Sequence, residues 1–571
     1  MNKVYSKKQD LIQKIRQVSG ESIENFEITD DNRIYIDHKA DAVKGIACAL
    51  RDEGARYLVG TASDTIDKDN CLSMIHSFAF DKEGFIVNMR TKVDADNPVM
   101  DSITPDVYGA GWSEREFQDL LGMKFTGHPN PKRLILADDW PEGIYPLRKE
   151  VPHNLVPPGA EDVAFQLDNP PEGTSVIPVG PFHSSLHEPE HFAVYVDGET
   201  IKGCEYRGFM THRGIEKLCQ TQVTYNEIPY IAERICGICG SVHATAYSQA
   251  VEEAAGIEVP RRAEYLRTIM LEIERLHSHL LWLGVAGHLI GYDTVFMHAW
   301  RVREDIMWLC EKITGNRKTY GMIIIGGARQ DIDDALQGDI LTSLAKVEKE
   351  VMALHKAIEK DSIVHKRTVD VGWISKKTAI DWSLVGPVAR ARGVDIDVRR
   401  DHPYAAYDDM LFDVPVLDGG DVWSTLVVRI LEMYESVSII RQCLKRMPDG
   451  PILTETSEEL PAFKHGISVV EAPRGESVHY MITGDEPRPE RWRVRAPTYP
   501  NLQAVPDMLL NNEFADFPII VGSIDPCFSC TDRVIKVDMK NAHKGSSLTS
   551  GSGATVLTNR DLENMSRSKG K

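Results

Sequence analysis

Two short stretches, far apart in the chain, constrain its fold more than anything else in it. Residues 234–243 read RICGICGSVH and residues 525–533 read DPCFSCTDR. Each holds a CxxC, so Cys236 and Cys239 from one region can meet Cys527 and Cys530 from the other as four thiolates around one metal centre. The chain must then bring together segments separated by most of a large domain. A tetrahedral structural zinc uses the same four ligands and is the first reading of the pairs by themselves, with softer metals such as nickel and iron behind it. The surroundings separate these readings. A zinc ribbon closes over a short excursion of chain, which this is not. The first pair is preceded by Arg213-Gly214-Ile215-Glu216 and by Arg234, and is followed by His243.

The rest of the chain limits what such a centre can serve. At 571 residues it needs several structural units, since a single core rarely exceeds about 250–300 residues. A formal charge of -20, with no interleaved basic and aromatic patch to offset it, argues against nucleic acid as a partner. The start, MNKVYSKKQDLIQKI, lacks the apolar core of a signal peptide, and no run reaches the roughly 18 apolar residues of a membrane span. A cytoplasmic location is expected. In that reducing compartment the ten cysteines are metal ligands or buried thiols rather than disulfides. Cys48, Cys71, Cys204, Cys219, Cys310 and Cys443 stand singly and read as small core residues.

Taken in order, residues 1–150 read as a small α/β domain. An amphipathic start (Leu11, Ile12, Ile15, Val18) leads into alternating runs at 33–37 and 85–90 that predict strands with one buried face. Glu114, Arg115 and Glu116 then open a helical turn. A Pro-rich linker is placed at 151–177. The domain from 178 to 533 opens on a strand with Phe192, Val194 and Val196 alternating. It becomes helical beyond the first CxxC, where Ile269, Ile273, Leu276, Leu280 and Leu283 form one stripe. Glu272, Arg275 and His279 share a second face, either as a polar network reaching the metal site or as a structural ion pair with a satisfied histidine. Helices are also predicted over 334–360 and 421–447. The fold class is α+β, a small α/β domain followed by a mainly α-helical one built on a long-helix bundle. The Ser/Gly/Lys-rich stretch 534–571 is a C-terminal extension.

RGxE, then RxCGxCxxxH, then DPCxxC near the C-terminus resembles the catalytic large subunit of nickel-iron hydrogenases. Residues 1–150 resemble the thirty-kilodalton subunit of respiratory complex I, and ARGVDIDVRRDHPYAAYDD resembles its quinone-site subunit as much as a hydrogenase. Together they resemble the formate hydrogenlyase type of energy-linked hydrogenase. That resemblance implies reversible reduction of protons to dihydrogen at a nickel and an iron, the iron carrying carbon monoxide and cyanide. Cys239 and Cys530 would bridge the metals, with Cys236 and Cys527 terminal on nickel. Arg474, after Pro473, and Thr498 would serve the cyanides, and Asp525 would fix Arg474. A base, Cys527 or Arg474, would take the proton and Glu188 would carry it onward, with Glu190 the competing carboxylate. The partners implied are a hydrogenase small subunit carrying a four-iron four-sulfur cluster, a ferredoxin-like iron-sulfur subunit, complex I-related membrane subunits, a formate dehydrogenase and a maturation protease. They would hold the chain peripherally on the cytoplasmic face of the membrane.

The pattern is broken at one place. Many hydrogenases end CxxCxxH, and the histidine shares a magnesium or iron with the RGxE glutamate, Glu216 here. This chain has Arg533 instead, which in its charged form coordinates no cation. In the family the C-terminal tail is removed once nickel is loaded, which places cleavage between Arg533 and Val534. Two other functions share these features: a complex I-like quinone oxidoreductase subunit without dihydrogen chemistry, and a structural subunit whose cysteines hold zinc.

Overall fold

The computed structural model describes residues 2–29, 32–157, 169–186 and 188–532, the side chains of 2–6 excepted. Its N-terminal unit is a five-stranded sheet of order β1-β2-β5-β4-β3, from Ile23–Ile28 (β1), Arg33–His38 (β2), Arg56–Thr65 (β3), Cys71–Phe80 (β4) and Phe85–Asp94 (β5). Only β2 and β5 are parallel neighbours, and the helix Val43–Asp52 (α2) and the β3–β4 hairpin make the crossover between them. One face is covered by α2 and the helix Asn2–Ser19 (α1), whose Leu11 and Ile15 pack with Ile46, Leu50, Ile36 and Val87. Val18 of α1 is instead half exposed; its close neighbour is Gly45 of α2, which has no side chain to cover it.

The second face is not left to water. Leu58, Val59, Ile75, Ala79 and Ile86 pack against Ile467, Val469, Val478, Tyr480 and Ile482 from the strands His465–Ala472 and Gly475–Thr483. Alternation along 85–90 predicts one buried face, yet Phe85, Ile86 and Val87 are all buried, because a sheet from the far end of the chain covers the other side.

Beyond the Pro-rich stretch a three-stranded sheet forms from Ser175–Val179, His191–Asp197 and Thr200–Arg207, so regular structure begins inside the segment read as linker. Four long helices follow: Arg261–Leu289, Asp293–Thr314, Asp334–Glu359 and Val422–Arg446. Asp333 and Asp421 cap the last two, accepting from Leu336 N and Ser424 N. The first is the central helix of the bundle. Its apolar stripe is buried as expected, but Glu272, Glu274, Arg275, His277 and His279 are buried too. Charged groups so enclosed need partners. Glu272 meets Arg275 and Arg399, both at 3.2 Å, and accepts from Tyr407 and Ser436, while His279 meets Glu432 at 2.8 Å. Both sequence readings of this face thus hold in part: the ion pair is structural, and it belongs to a wider polar network.

Candidate metal centre

The two CxxC turns meet beside the central helix. Cys239 stands immediately before the helix Gly240–Ala255, and Cys527 immediately before the short helix Phe528–Asp532, which carries Cys530. Ile238 N and Cys239 N donate to Cys236 Sγ at 3.2 and 3.3 Å, folding the first turn around its own sulfur. Cys236 Sγ lies 3.3 Å from Cys527 Sγ, Cys239 Sγ 3.7 Å from Cys530 Sγ, and Cys527 Sγ 3.0 Å from Cys530 Sγ. All four are buried free thiols, too far apart for a disulfide of about 2.05 Å.

This donor set fits a metal. Four sulfurs at about 2.3 Å from one ion sit roughly 3.8 Å apart in a tetrahedron. The Cys239–Cys530 distance is already close to that, and the tighter contacts need to open by less than about 1 Å. Charge points the same way. Burial opposes ionisation of Cys236, yet hydrogen bonds from the other three thiols and the charge of Arg474 draw its pKa well below the ordinary thiol value. Cys239 and Cys527 are pushed well above theirs, chiefly by their hydrogen bonds to Cys236, and Cys530 chiefly by burial. Without a cation only Cys236 is favoured as a thiolate, and all four could ionise together only around one.

Arg474 is at the tip of the hairpin in which Ala472 pairs with Gly475, so it and Pro473 form the two-residue turn. Gly475 adopts φ +121°, and a Cβ there would come within 2.7 Å of Gly386 N; glycine lets the turn seat itself against that backbone. Arg474 is buried and donates from Nε to Asp525 O at 2.8 Å, from Nη2 to Asp525 Oδ1 at 2.9 Å and from Nη1 to Ser278 Oγ at 3.1 Å. Burial opposes its charge, but Asp525 and the cysteines outweigh it and raise its pKa above the ordinary arginine value. Ser278 ties Arg474 to the central helix. Thr498 Oγ1 accepts from Cys527 N at 3.1 Å.

Glu188 is half-buried and accepts from Ser529 twice, from N at 2.8 Å and from Oγ. It is thereby attached to the turn between Cys527 and Cys530. Sequence reasoning named Glu190 beside it but missed Asp532. Asp532 Oδ2 accepts from Thr211 N and Oγ1 at 3.0 and 2.7 Å, and burial pushes its pKa to about 6. Glu190, wholly buried, accepts from Tyr206 at 2.7 Å and is held well above the usual carboxylate range by burial and by Asp532. Asp532 stands inside the DPCFSCTDR motif and was visible there. His243 is a paired core residue: its Nδ1 lies 3.1 Å from His479 Nε2, and Trp492 Nε1 donates to His479 Nδ1 at 3.2 Å.

Glu216 is differently placed. Its oxygens meet Arg491 Nη1 at 2.8 Å and Arg493 Nη1 at 3.5 Å and accept from Val494 N at 3.0 Å. Guanidiniums are donors and cannot share a cation with it. Among the described residues, the metal-ligating group whose atoms all lie within 4.8 Å of one another is Cys236, Cys239 and Cys530; it contains neither Glu216 nor Cys527, which reaches the cluster through Cys236 and Cys530. Arg533 and Val534 lie outside the described residues. Among those described, no helix is long and apolar enough to cross a membrane.

Comparison with known proteins follows the same division. The model for the nickel-dependent hydrogenases matches residues 213–297, that for the 49 Kd subunit of respiratory-chain NADH dehydrogenase matches 290–468 and 459–533, and that for its 30 Kd subunit matches 36–155. The chain is 43% identical over 460 residues to formate hydrogenlyase subunit 5 of Escherichia coli (strain K12), covering 80% of each chain. It is 43% identical over 458 residues to hydrogenase-4 component G of the same organism, covering 79% of each. Among solved structures, a chain of the membrane-bound sulfane sulfur reductase, an archaeal respiratory membrane complex, superposes with a TM-score of 0.61 at 29% identity, over 63% of this chain and 99% of that one.

Proposed function

Since the chain belongs to the large subunits of membrane-bound nickel-iron hydrogenases of the formate hydrogenlyase group, relatives of complex I, we propose that Cys236, Cys239, Cys527 and Cys530 hold its metal centre. The observation that carries this is the meeting of four buried sulfurs from the two ends of the domain, with Arg474 hydrogen-bonded to Asp525 beside them. These four cysteines would hold the nickel, and Cys239 and Cys530 are the two that would also serve an iron bearing carbon monoxide and cyanide. Pro473, Arg474, Thr498 and Asp525 form the polar surroundings of the cyanides. When bound, the metals supply the two-electron chemistry of dihydrogen, whose cleavage leaves a proton at the site.

The chain's own residues then move that proton. The Cys527 thiolate accepts it rather than Arg474, which Asp525 and the cysteines hold already protonated, and Glu188, tied to Ser529 of the same turn, passes it outward. Glu190 and Asp532 stand next on that side, both protonated more readily than ordinary carboxylates. Glu216 binds no metal. Residues 1–150 form an assembly domain, 151–174 a linker that ends where the strand Ser175–Val179 begins, 175–533 the catalytic domain, and 534–571 are removed by a protease between Arg533 and Val534. Electrons arrive from a small subunit with a four-iron four-sulfur cluster, fed by a ferredoxin-like subunit and a formate dehydrogenase, and complex I-related membrane subunits hold the assembly on the cytoplasmic face.

Metal analysis of the purified complex tests this reading. Nickel near one per large subunit, with iron beyond the cluster content, supports it; zinc alone in this chain contradicts it.

A further inference from the structure

The strand Pro489–Arg495 carries buried arginines at every second position: Arg491, Arg493 and Arg495. Alternate residues of a strand share a face, and this face meets β3, the edge strand of the N-terminal sheet. The three Nε groups donate to Ala62 O, Gly60 O and Leu58 O at 2.7, 3.0 and 2.9 Å. Guanidinium groups thus complete an edge whose backbone would otherwise lack partners. The other side of each fork ends on carboxylates. Arg491 meets Glu216, Arg493 meets Glu116 at 2.6 Å and Glu216 at 3.5 Å, and Arg495 meets Glu476.

Glu116 joins the two units. It lies in the helix Gly111–Leu121 of the N-terminal unit, and its second oxygen accepts from Tyr499 Oη at 3.1 Å. Tyr499 follows Thr498, whose hydroxyl holds Cys527 N. Trp112, one helical turn before Glu116, packs edge-on against the Tyr499 ring at 5.2 Å. Glu216, on the other side of Arg493, is carried by the segment whose Thr211 holds Asp532 next to Cys530. One carboxylate of the N-terminal unit therefore reaches both polypeptide segments that seat the second CxxC.

We propose that Arg491 and Arg493 take up the Glu216 carboxylate in place of a metal ion, so that no cation binds there, and that Glu116 is a positioning residue for the cysteine centre, acting through Arg493 and Tyr499. Charge supports the substitution: two guanidiniums against Glu116 and Glu216 give the +2 that a divalent ion would bring. Geometry supports it too, since a fork can bond a carboxylate and a main-chain carbonyl at once. A guanidinium does not exchange with solvent as an ion does, so the seat stays filled whatever the cation supply. The consequence is that the catalytic frame depends on the docked N-terminal unit.

The test uses the purified complex with its full partner set. Treatment with EDTA, followed by Mg2+ or Mn2+, should leave the thermal midpoint and nickel content of wild type unchanged; a midpoint that falls with the chelator and returns with either ion overturns the substitution of guanidinium for metal. Glu116→Gln removes one charge and Tyr499→Phe one hydroxyl. Each should shift the nickel electron paramagnetic resonance signal at full nickel content and lower hydrogen evolution roughly threefold to tenfold. Arg115→Gln, in the same helix, loses bonds to Lys132 O and Arg133 O within the N-terminal unit, and should keep the wild-type signal. If Glu116→Gln does not accumulate, Tyr499→Phe decides. A wild-type signal in Tyr499→Phe, or the same shift in Arg115→Gln, overturns the positioning role. A wild-type complex devoid of nickel would contradict the metal-centre reading on which the second half of the proposal rests, and leaves the chelator result to stand by itself.

Discussion

Replacing Arg474 with lysine keeps a positive charge at the metal centre and removes the fork that aims it. The arginine donates three hydrogen bonds, two to Asp525 and one to Ser278. A single ammonium at the end of a flexible stem can keep the ion pair with Asp525 Oδ1 but cannot also reach Asp525 O and Ser278 Oγ. Bonds to charged groups contribute about 1.5–3 kcal/mol each, so two losses destabilise the site by roughly 3–6 kcal/mol. Domains of this kind are stable by about 5–15 kcal/mol, so Arg474→Lys should fold with a lowered urea midpoint. Charge that is no longer aimed at the reacting centre costs about 2 kcal/mol in the transition state, and hydrogen evolution falls roughly 30-fold. Gas chromatography of hydrogen evolved from reduced viologen, normalised to nickel, measures the rate. A nickel-replete Arg474→Lys enzyme within threefold of wild type, or one with an unchanged urea midpoint, would refute the role drawn from these contacts.

Three further outcomes are expected. Glu188→Gln still accepts from Ser529 N through its amide oxygen and can donate to Ser529 Oγ through its amide nitrogen, but cannot carry a proton, so isotope exchange between dihydrogen and water should slow at least about tenfold with nickel retained; unchanged exchange would move the exit elsewhere, Asp532 and Glu190 being next. Glu114 is raised from the ordinary 4.5 to about 7 by burial, against hydrogen bonds from Ser102, Thr104 and Ile103 N. The folded chain then holds a proton that the unfolded chain has released, so stability is full below about pH 4.5 and roughly 3 kcal/mol of it is lost as pH rises to 7. Glu114→Gln should remove that slope from urea midpoints taken at pH 5 and 7.5, and an identical slope would contradict the assignment. The intact mass of active enzyme should end at Arg533, and a mass that includes Lys571 in fully active, nickel-loaded protein would exclude the cleavage.

Most of what could be read in the sequence was local. The CxxC turns are set by spacing that a metal imposes on neighbouring residues, and the helices predicted over 334–360 and 421–447 appear at Asp334–Glu359 and Val422–Arg446 because their apolar period and capping aspartates are near in sequence. The meeting of the two CxxC pairs was legible across the chain because both carry the same metal-ligating spacing, whereas other features made by distant chain were not. Alternating arginines at 491–495 have the pattern of a solvated strand face, yet they are buried because their partners are carbonyls of β3, over four hundred residues away in the chain. The doubly buried β5 has the same cause, a covering sheet contributed from 465–483. For Glu216, the change of the final motif position to Arg533 pointed away from a metal, but the two guanidiniums that meet it could be found only from the fold.

The central claim is that sulfurs from the two ends of the catalytic domain enclose one nickel. X-ray absorption at the nickel edge of the purified complex tests it most directly. The account predicts four sulfur scatterers about 2.2–2.4 Å from nickel, close to the usual metal–thiolate distance, falling to three in Cys236→Ser. A nickel surrounded by oxygen and nitrogen alone, or one whose sulfur shell is untouched by that substitution, would contradict it.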